Sequence, residues 1–109
     1  MLHKRVVVID GDDASPEAVI PSIDVLSAMG LPIRFERPPI GLAAKQGHGD
    51  VFPEVTRVAI DEADATLFGS TSGPSSRALF YLRWGKQTFA NVRPCRWLPG
   101  FRSPLARPE

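Results

Sequence analysis

Arg83 and Arg93 are separated by nine residues that include Gly85 and Lys86, so a turn carries the chain from one to the other. Two guanidinium groups brought together by such a turn can clamp a dicarboxylate, each offering a planar fork of donors to one carboxylate. Taken by themselves, two arginines in a chain of this kind are more often independent surface residues. A second group is acidic. Asp10, Asp12 and Asp13 follow the apolar run Val6 to Ile9, at the carboxyl end of an expected strand, where parallel-sheet proteins bind ligands. Carboxylates there can hold a divalent cation or serve as nucleophile and acid, although aspartates also favour turns and helix starts for local reasons. The third group is the run Gly69, Ser70, Thr71, Ser72, Gly73, Pro74. Its small residues let a ligand approach the backbone, and free N–H groups at the start of a following helix suit an anion. Gly85-Lys86 is not a phosphate-binding loop, because Gln87 stands where Ser or Thr is required and Phe80 where the first glycine belongs. His3 and His48 have no companions at metal-ligand spacing and read as exposed terminal or loop residues.

The elements that must position these groups follow from patterning. Val6 to Ile9 is an unbroken β-branched run, which predicts a strand covered on both faces. Ser15, Pro16 and Glu17 suit the cap and first turn of a helix. Val19, Ile23, Leu26 and Met29 then recur at helical spacing before Gly30. A second strand is expected over residues 33–37, closed by Pro38-Pro39. Residues 41–52 hold three glycines without clear periodicity and read as a loop with at most one helical turn. Pro53 and Glu54 open a second helix to about Ala63, with Val55, Ala59 and Glu62 on one side. Residues 65–68 form a third strand, residues 76–84 a short helix, and residues 89–98 an extended segment in which Pro94 forbids an ordinary ladder donor. The order β-α-β-α-β-α-β predicts an α/β fold with a largely parallel sheet. The tail from Arg102 to Glu109 reads as an ordered crossing that frays.

Composition narrows the classes. At 109 residues the chain fits one small domain or a piece of a larger one. A hydrophobic fraction of 43% supports a packed core. The net charge of +1 gives no basis for nucleic-acid or charged-membrane binding. The densest basic group, Arg93, Arg96, Arg102 and Arg107, is spaced by apolar residues and prolines. Cys95 is the sole cysteine, expected to be a buried, inert thiol in a reducing cytoplasm. The apolar run after Arg5 is too short for a signal-peptide core or a membrane span.

Together these segments resemble the β-decarboxylating dehydrogenases of the isocitrate/isopropylmalate dehydrogenase family. Residues 6–17, Val-Val-Val-Ile-Asp-Gly-Asp-Asp-Ala-Ser-Pro-Glu, are similar to that family's strand followed by Gly-Asp-Gly-Ile-Gly-Pro-Glu, with Gly11, Asp12, Pro16 and Glu17 matching. Residues 62–70 resemble the helix-to-strand passage before its Gly-Ser-Val-Gly-Gly-Pro loop. Leu82-Arg83, nine residues, then Arg93-Pro94, continuing through Pro99-Gly100 to Ser103-Pro104-Leu105, is the strongest match. The likeness runs over roughly residues 5–106, and implies one partial α/β domain, the N-terminal part of an isopropylmalate dehydrogenase-like fold. It implies that Arg83 and Arg93 grip the carboxylates of a 2-hydroxy acid. Leu79 and Phe80 would choose among substrate side chains, favouring an alkyl-bearing malate, with Arg77 able to serve a third carboxylate. Gly69, Ser70, Thr71, Ser72, Gly73 and Pro74 would lie beside the nicotinamide of NAD(P), and Mg²⁺ or Mn²⁺ is the family's metal.

This sequence departs from the pattern where Asp13, Ser15 and Ser72 replace family glycines, and the stretch between Pro74 and Leu82 is short. The resemblance also implies that the third arginine, the catalytic tyrosine and lysine, the metal-binding aspartates and the adenosine-binding loop lie after these 109 residues. No catalytic or metal-binding residue is therefore assigned here, and turnover by this chain alone is not expected. About four strands with an open edge should favour a homo-oligomer or association with a complementing remainder. A non-catalytic carboxylate-binding or oligomer-completing module is the second reading. A third, a haloacid-dehalogenase-type phosphatase with Asp10 as nucleophile, Asp12 as acid/base and Ser70 or Thr71 on phosphate, leaves the Arg83–Arg93 block unexplained.

Overall fold

The computed structural model describes residues 2–105, and Ala106 to Glu109, with Arg107, lie outside it. Strand β1 (Lys4–Ile9) is the centre of a three-stranded parallel sheet in the order β2-β1-β3, with β2 at Ile33–Glu36 and β3 at Ala65–Phe68. The register places Val6 opposite both Phe35 and Ala65, and Ile9 opposite Phe68. Val7, Val8 and Ile9 are buried, as an apolar run sandwiched between two helical layers requires.

Alternation along the strands divides the core. Val8 packs with Val19 and Ile23 of helix α1 (Ser15–Ala28), joined by Leu26, Phe35 and Leu67. Val7 and Ile9 face the other way, onto Ile60 of helix α3 (Glu54–Glu62) and Ala78 of helix α4 (Ser76–Phe80). Each of the three central β1 side chains contributes about 1.5–3 kcal/mol by leaving water. At the amino edge, Asp64 fixes the register of β3. It accepts from the Arg5 N–H and Lys4 Nζ, both at 2.8 Å, and its own N–H donates to the Arg5 carbonyl at 2.9 Å. The Arg5 guanidinium holds Glu36 of β2 through two bonds of 3.2 and 3.0 Å and reaches Glu62 of α3 at 3.3 Å.

Several local expectations are corrected. Ser15 is the first residue of α1 rather than its cap; its hydroxyl instead accepts the Ser70 N–H at 2.8 Å. Residues 41–48 form a helix, α2 (Gly41–His48), not a loop. Ala43, Ala44, Lys45 and Gln46 are strong helix formers, Ala44 is buried, and left-handed Gly49 ends the helix. The inward face of α3 is Thr56, Ile60 and Ala59, whereas Val55 and Glu62 are exposed. Thr56 can be buried because its hydroxyl donates to the Pro39 carbonyl. The expected helix over 76–84 gives way after Phe80 to a π-helical turn, Tyr81–Gly85.

The expected extended segment over 89–98 joins no sheet, and the sheet among the described residues has three strands rather than four. Pro94 removes a donor and Phe89 is wholly exposed, so no neighbouring strand rewards extension there. Cys95, expected to be buried, is exposed for the same reason. His3 and His48 are exposed, the latter in the last turn of α2. No helix among the described residues is long and apolar enough to cross a membrane. The radius of gyration, 16.7 Å, exceeds the roughly 13 Å of a compact domain this long.

Candidate functional site

Two turns meet at the carboxyl edge of the sheet: residues 10–14 after β1 and residues 69–75 after β3. They touch backbone to backbone, the Asp12 N–H donating to the Ser70 carbonyl at 2.9 Å. Glycine is required on both sides of this contact. A Cβ at Gly11, which also has a φ of +87°, would meet the Ser70 carbonyl, and one at Gly69 would meet the Asp10 carbonyl and Ser15 Oγ.

Asp12 organises the junction. Its Oδ2 accepts from Thr71 Oγ1 at 2.7 Å, Ser75 Oγ at 2.8 Å, and the N–H groups of Ser72, Gly73 and Ser75 at 3.1, 3.2 and 3.3 Å. Burial is the largest single influence on this carboxyl and opposes ionisation. The Thr71 and Ser75 hydroxyls and the Ser75 and Ser72 amides together outweigh it and hold the group below its ordinary value. The N–H groups that sequence patterning offers to an anion are therefore turned onto the chain's own carboxylate. Asp10 is paired with Arg37 at 3.3 Å, and Asp13 is exposed with a φ of +53°. Asp12 and Asp13 border a hollow of about 320 Å³ walled by Ile40, Leu42 and Pro74. Nothing basic lines that hollow, so it does not suit a phosphate; an uncharged or cationic ring fits its acidic, part-apolar lining. Among the described residues no three His, Cys, Asp or Glu side chains gather to hold a metal ion.

Arg83 and Arg93 flank one open cleft of about 790 Å³, lined also by Thr66 of β3, Leu82, Trp84 and residues 88–92. The chain returns toward Arg93 through Gln87, whose φ of +52° makes the reversal, and through Thr88, whose hydroxyl donates to the carbonyls of Leu82 and Arg83 at 3.1 Å each. Both arginines are exposed, and neither has a carboxylate partner among the described residues. Every arginine from Arg5 to Arg77 does have one. The structure thus brings Arg83 and Arg93 to a common space without an acidic partner among the described residues, Arg93 Nε donating only to Asn91 Oδ1 at 3.4 Å.

Leu79 and Phe80 lie elsewhere. Leu79 is half-buried, and Phe80 lies against Trp84, ring centres 5.2 Å apart, lining a separate hollow with Arg57, Arg77 and Tyr81. Arg77 is engaged by Asp50. Residues 69–74 sit at the sheet edge, with Pro74 on the acidic hollow. Sequence reasoning missed two organisers, Asp12 in its five-donor role and Asp61, to which Tyr81 and Lys86 are bonded at 2.6 and 3.2 Å. Asp12 had a signal, the matched Gly-Asp pair; Asp61 had none.

A parallel sheet with two turns meeting at its carboxyl edge, and two arginines without an acidic partner among the described residues beyond it, defines an α/β protein. Within that class, residues 5–108 match the isocitrate/isopropylmalate dehydrogenase family, and the chain belongs to it. It is 34% identical to a 3-isopropylmalate dehydrogenase of Deinococcus radiodurans, the alignment covering 93% of this chain and 33% of that protein. It is 34% identical to the Thiobacillus denitrificans 3-isopropylmalate dehydrogenase over 91% of this chain and 32% of the relative. It is also 35% identical to an isocitrate/homoisocitrate dehydrogenase of Thermus thermophilus over 90% and 32%. The chain spans about a third of the length of these curated relatives.

Proposed function

We propose that these residues form the substrate-gripping N-terminal part of a cytoplasmic NAD(P)-dependent dehydrogenase that oxidatively decarboxylates a 2-hydroxy di- or tricarboxylic acid of the isopropylmalate or isocitrate type. The observation that carries this reading is the shared cleft of Arg83 and Arg93, both without an acidic partner among the described residues. Each guanidinium binds one carboxylate and so sets the orientation of the carbon between them. Gly69 to Pro74 and the acidic hollow would hold the nicotinamide end of NAD(P), which when bound supplies the hydride acceptor. No metal-dependent step and no proton transfer is assigned to residues 1–109.

The second reading is a non-catalytic carboxylate-binding or oligomer-completing module. Exposed Phe89, Val92, Leu98 and Phe101 favour it, since apolar side chains of that size are normally covered by a neighbour. The homogeneous 109-residue chain should show no NAD(P)-dependent oxidation of isopropylmalate, isocitrate, homoisocitrate or tartrate. It should bind a dicarboxylate weakly, and Arg93→Ala should weaken that binding by about 1–3 kcal/mol more than Arg102→Ala. Turnover by the pure chain, or equal calorimetric effects of the two substitutions, overturns the assignment.

A further inference from the structure

Arg83 sits at the centre of the π-helical turn Tyr81–Gly85, in which the Lys86 N–H donates to the Tyr81 carbonyl five residues back, at 2.9 Å. A regular helix advances about 100° per residue, so an extra residue in one turn re-aims the chain that follows. Such turns are uncommon and concentrate at functional sites. Here the turn is held from both ends by a single side chain. Asp61 Oδ1, on α3, accepts from the Tyr81 hydroxyl at 2.6 Å and from Lys86 Nζ at 3.2 Å. Its Oδ2 takes Arg57 at 3.4 Å. The Tyr81 ring leans on Phe52, with centroids 5.7 Å apart. Its other side occupies the space that a side chain at residue 85 would need, so only glycine closes the turn there.

We infer that Asp61, Tyr81 and Gly85 are positioning residues that hold the wide turn and thereby aim Arg83 into the cleft it shares with Arg93. None of the three lines that cleft; they act through the backbone of residues 81–86. Asp61 stays ionised for this role, its carboxyl held below the usual range first by the Tyr81 hydroxyl and then by Lys86. The inference rests on the reading of Arg83 as a carboxylate ligand. It adds that the second carboxylate of a dicarboxylate is recognised only while the turn keeps its extra residue.

The test titrates the chain with malate, a 2-hydroxy dicarboxylate, and with glycolate, its monocarboxylate counterpart. The proteins are the parent, Arg83→Ala, Tyr81→Phe, Gly85→Ala and the double variant Arg83→Ala/Tyr81→Phe. Tyr81→Phe keeps the ring on Phe52 and removes only the bond to Asp61, so amide spectra should remain those of a folded chain. Losing one charge-assisted hydrogen bond corresponds to roughly ten- to a hundredfold in affinity. Arg83→Ala, Tyr81→Phe and Gly85→Ala should each weaken malate binding by about that factor and glycolate binding by less than about twofold. In the double variant Tyr81→Phe should add less than about twofold to the loss from Arg83→Ala, because the two changes remove the same contact. A merely structural role for Tyr81 would lower both ligands together and would add fully in the double variant, overturning the inference. Loss of malate affinity in Arg83→Ala but in neither Tyr81→Phe nor Gly85→Ala overturns the inference and leaves the carboxylate reading standing. No loss in Arg83→Ala overturns both.

Discussion

The body before Leu82 and the stretch from Leu82 to Leu105 are built on opposite electrostatic terms. In the body, every arginine is matched to a carboxylate, and strands, turns and helices are tied across the sheet through Asp64, Arg5, Glu36 and Asp12. The stretch from 82 to 105 carries four arginines, one lysine and no acidic residue. Its Phe89, Val92, Leu98 and Phe101 are exposed. Matched charges keep a register; Arg83 and Arg93 have no such partner among the described residues. The contrast teaches that the same residue type, arginine, is structural where the fold brings an acid to it, most often from a distant segment, and is left without an acidic partner where it does not.

Breaking the body should produce the largest effect. Gly69→Val drives a side chain into the Asp10 carbonyl and Ser15 Oγ, separating the two turns at the sheet's carboxyl edge. A loss on the order of 3 kcal/mol is expected in urea unfolding, and a variant as stable as the parent would show that the close approach is unimportant.

Next in size is acid lability confined to the body. Asp12, Glu36, Asp61 and Asp64 are all held below their ordinary values in the folded chain. The causes are the hydroxyl and amide donors on Asp12 working against its burial, Arg5 on Glu36, Tyr81 on Asp61 and Lys4 on Asp64. A depressed folded value means that the stabilisation is fully present above the unfolded values, near pH 4, and is lost as pH falls through the folded values below that. Thermal unfolding should therefore be flat from about pH 7 to 5 and fall steeply below about pH 4. Asp12→Asn should lower the plateau and shallow the acid slope. An unchanged slope in that variant would remove Asp12 from the list of groups that set it.

The smallest effect on stability should come from the stretch after Leu82. Arg102→Ala should change unfolding free energy by less than about 0.5 kcal/mol, since the residue is exposed and has no acidic partner among the described residues. A larger loss would mean that the stretch packs in solution more tightly than its exposure indicates. If its apolar side chains seek cover, Phe89→Ser should reduce concentration-dependent light scattering at micromolar chain while leaving the unfolding midpoint in place. Undiminished scattering would locate association elsewhere.

Much of the body was legible in the residues themselves. Val6 to Ile9 has nowhere to go but between two layers, because a β-branched run cannot expose either face cheaply. Helix α1 announces itself through Pro16, Glu17 and the spacing of Val19, Ile23 and Leu26. The short third strand at residues 65–68 was bounded by Asp64 and Gly69, and the structure gives it the same limits. Gly11 and Gly69 were marked by the motifs around them, although what they meet, each other's neighbouring backbone, is a fact of the fold.

What the sequence could not settle depends on partners distant along the chain. Asp12 lies about sixty residues from the five donors that fix its charge, and no local preference sends a carboxylate to that loop rather than to a metal or substrate. Helix α2 was hidden by Gly41 and Gly47 within it and Gly49 just after it, because its stability comes from burying Ala44 and from the Gly41 N–H bonding to the Val51 carbonyl at 2.8 Å. Residues 89–98 have the composition of a strand and are not one, since a strand exists only where another edge accepts its hydrogen bonds. The π turn needs Asp61, twenty residues away, to hold Tyr81. Period and propensity are properties of neighbouring residues and can be read along the chain. Pairing, burial and the direction in which Arg83 faces are set only when distant segments compete for the same space.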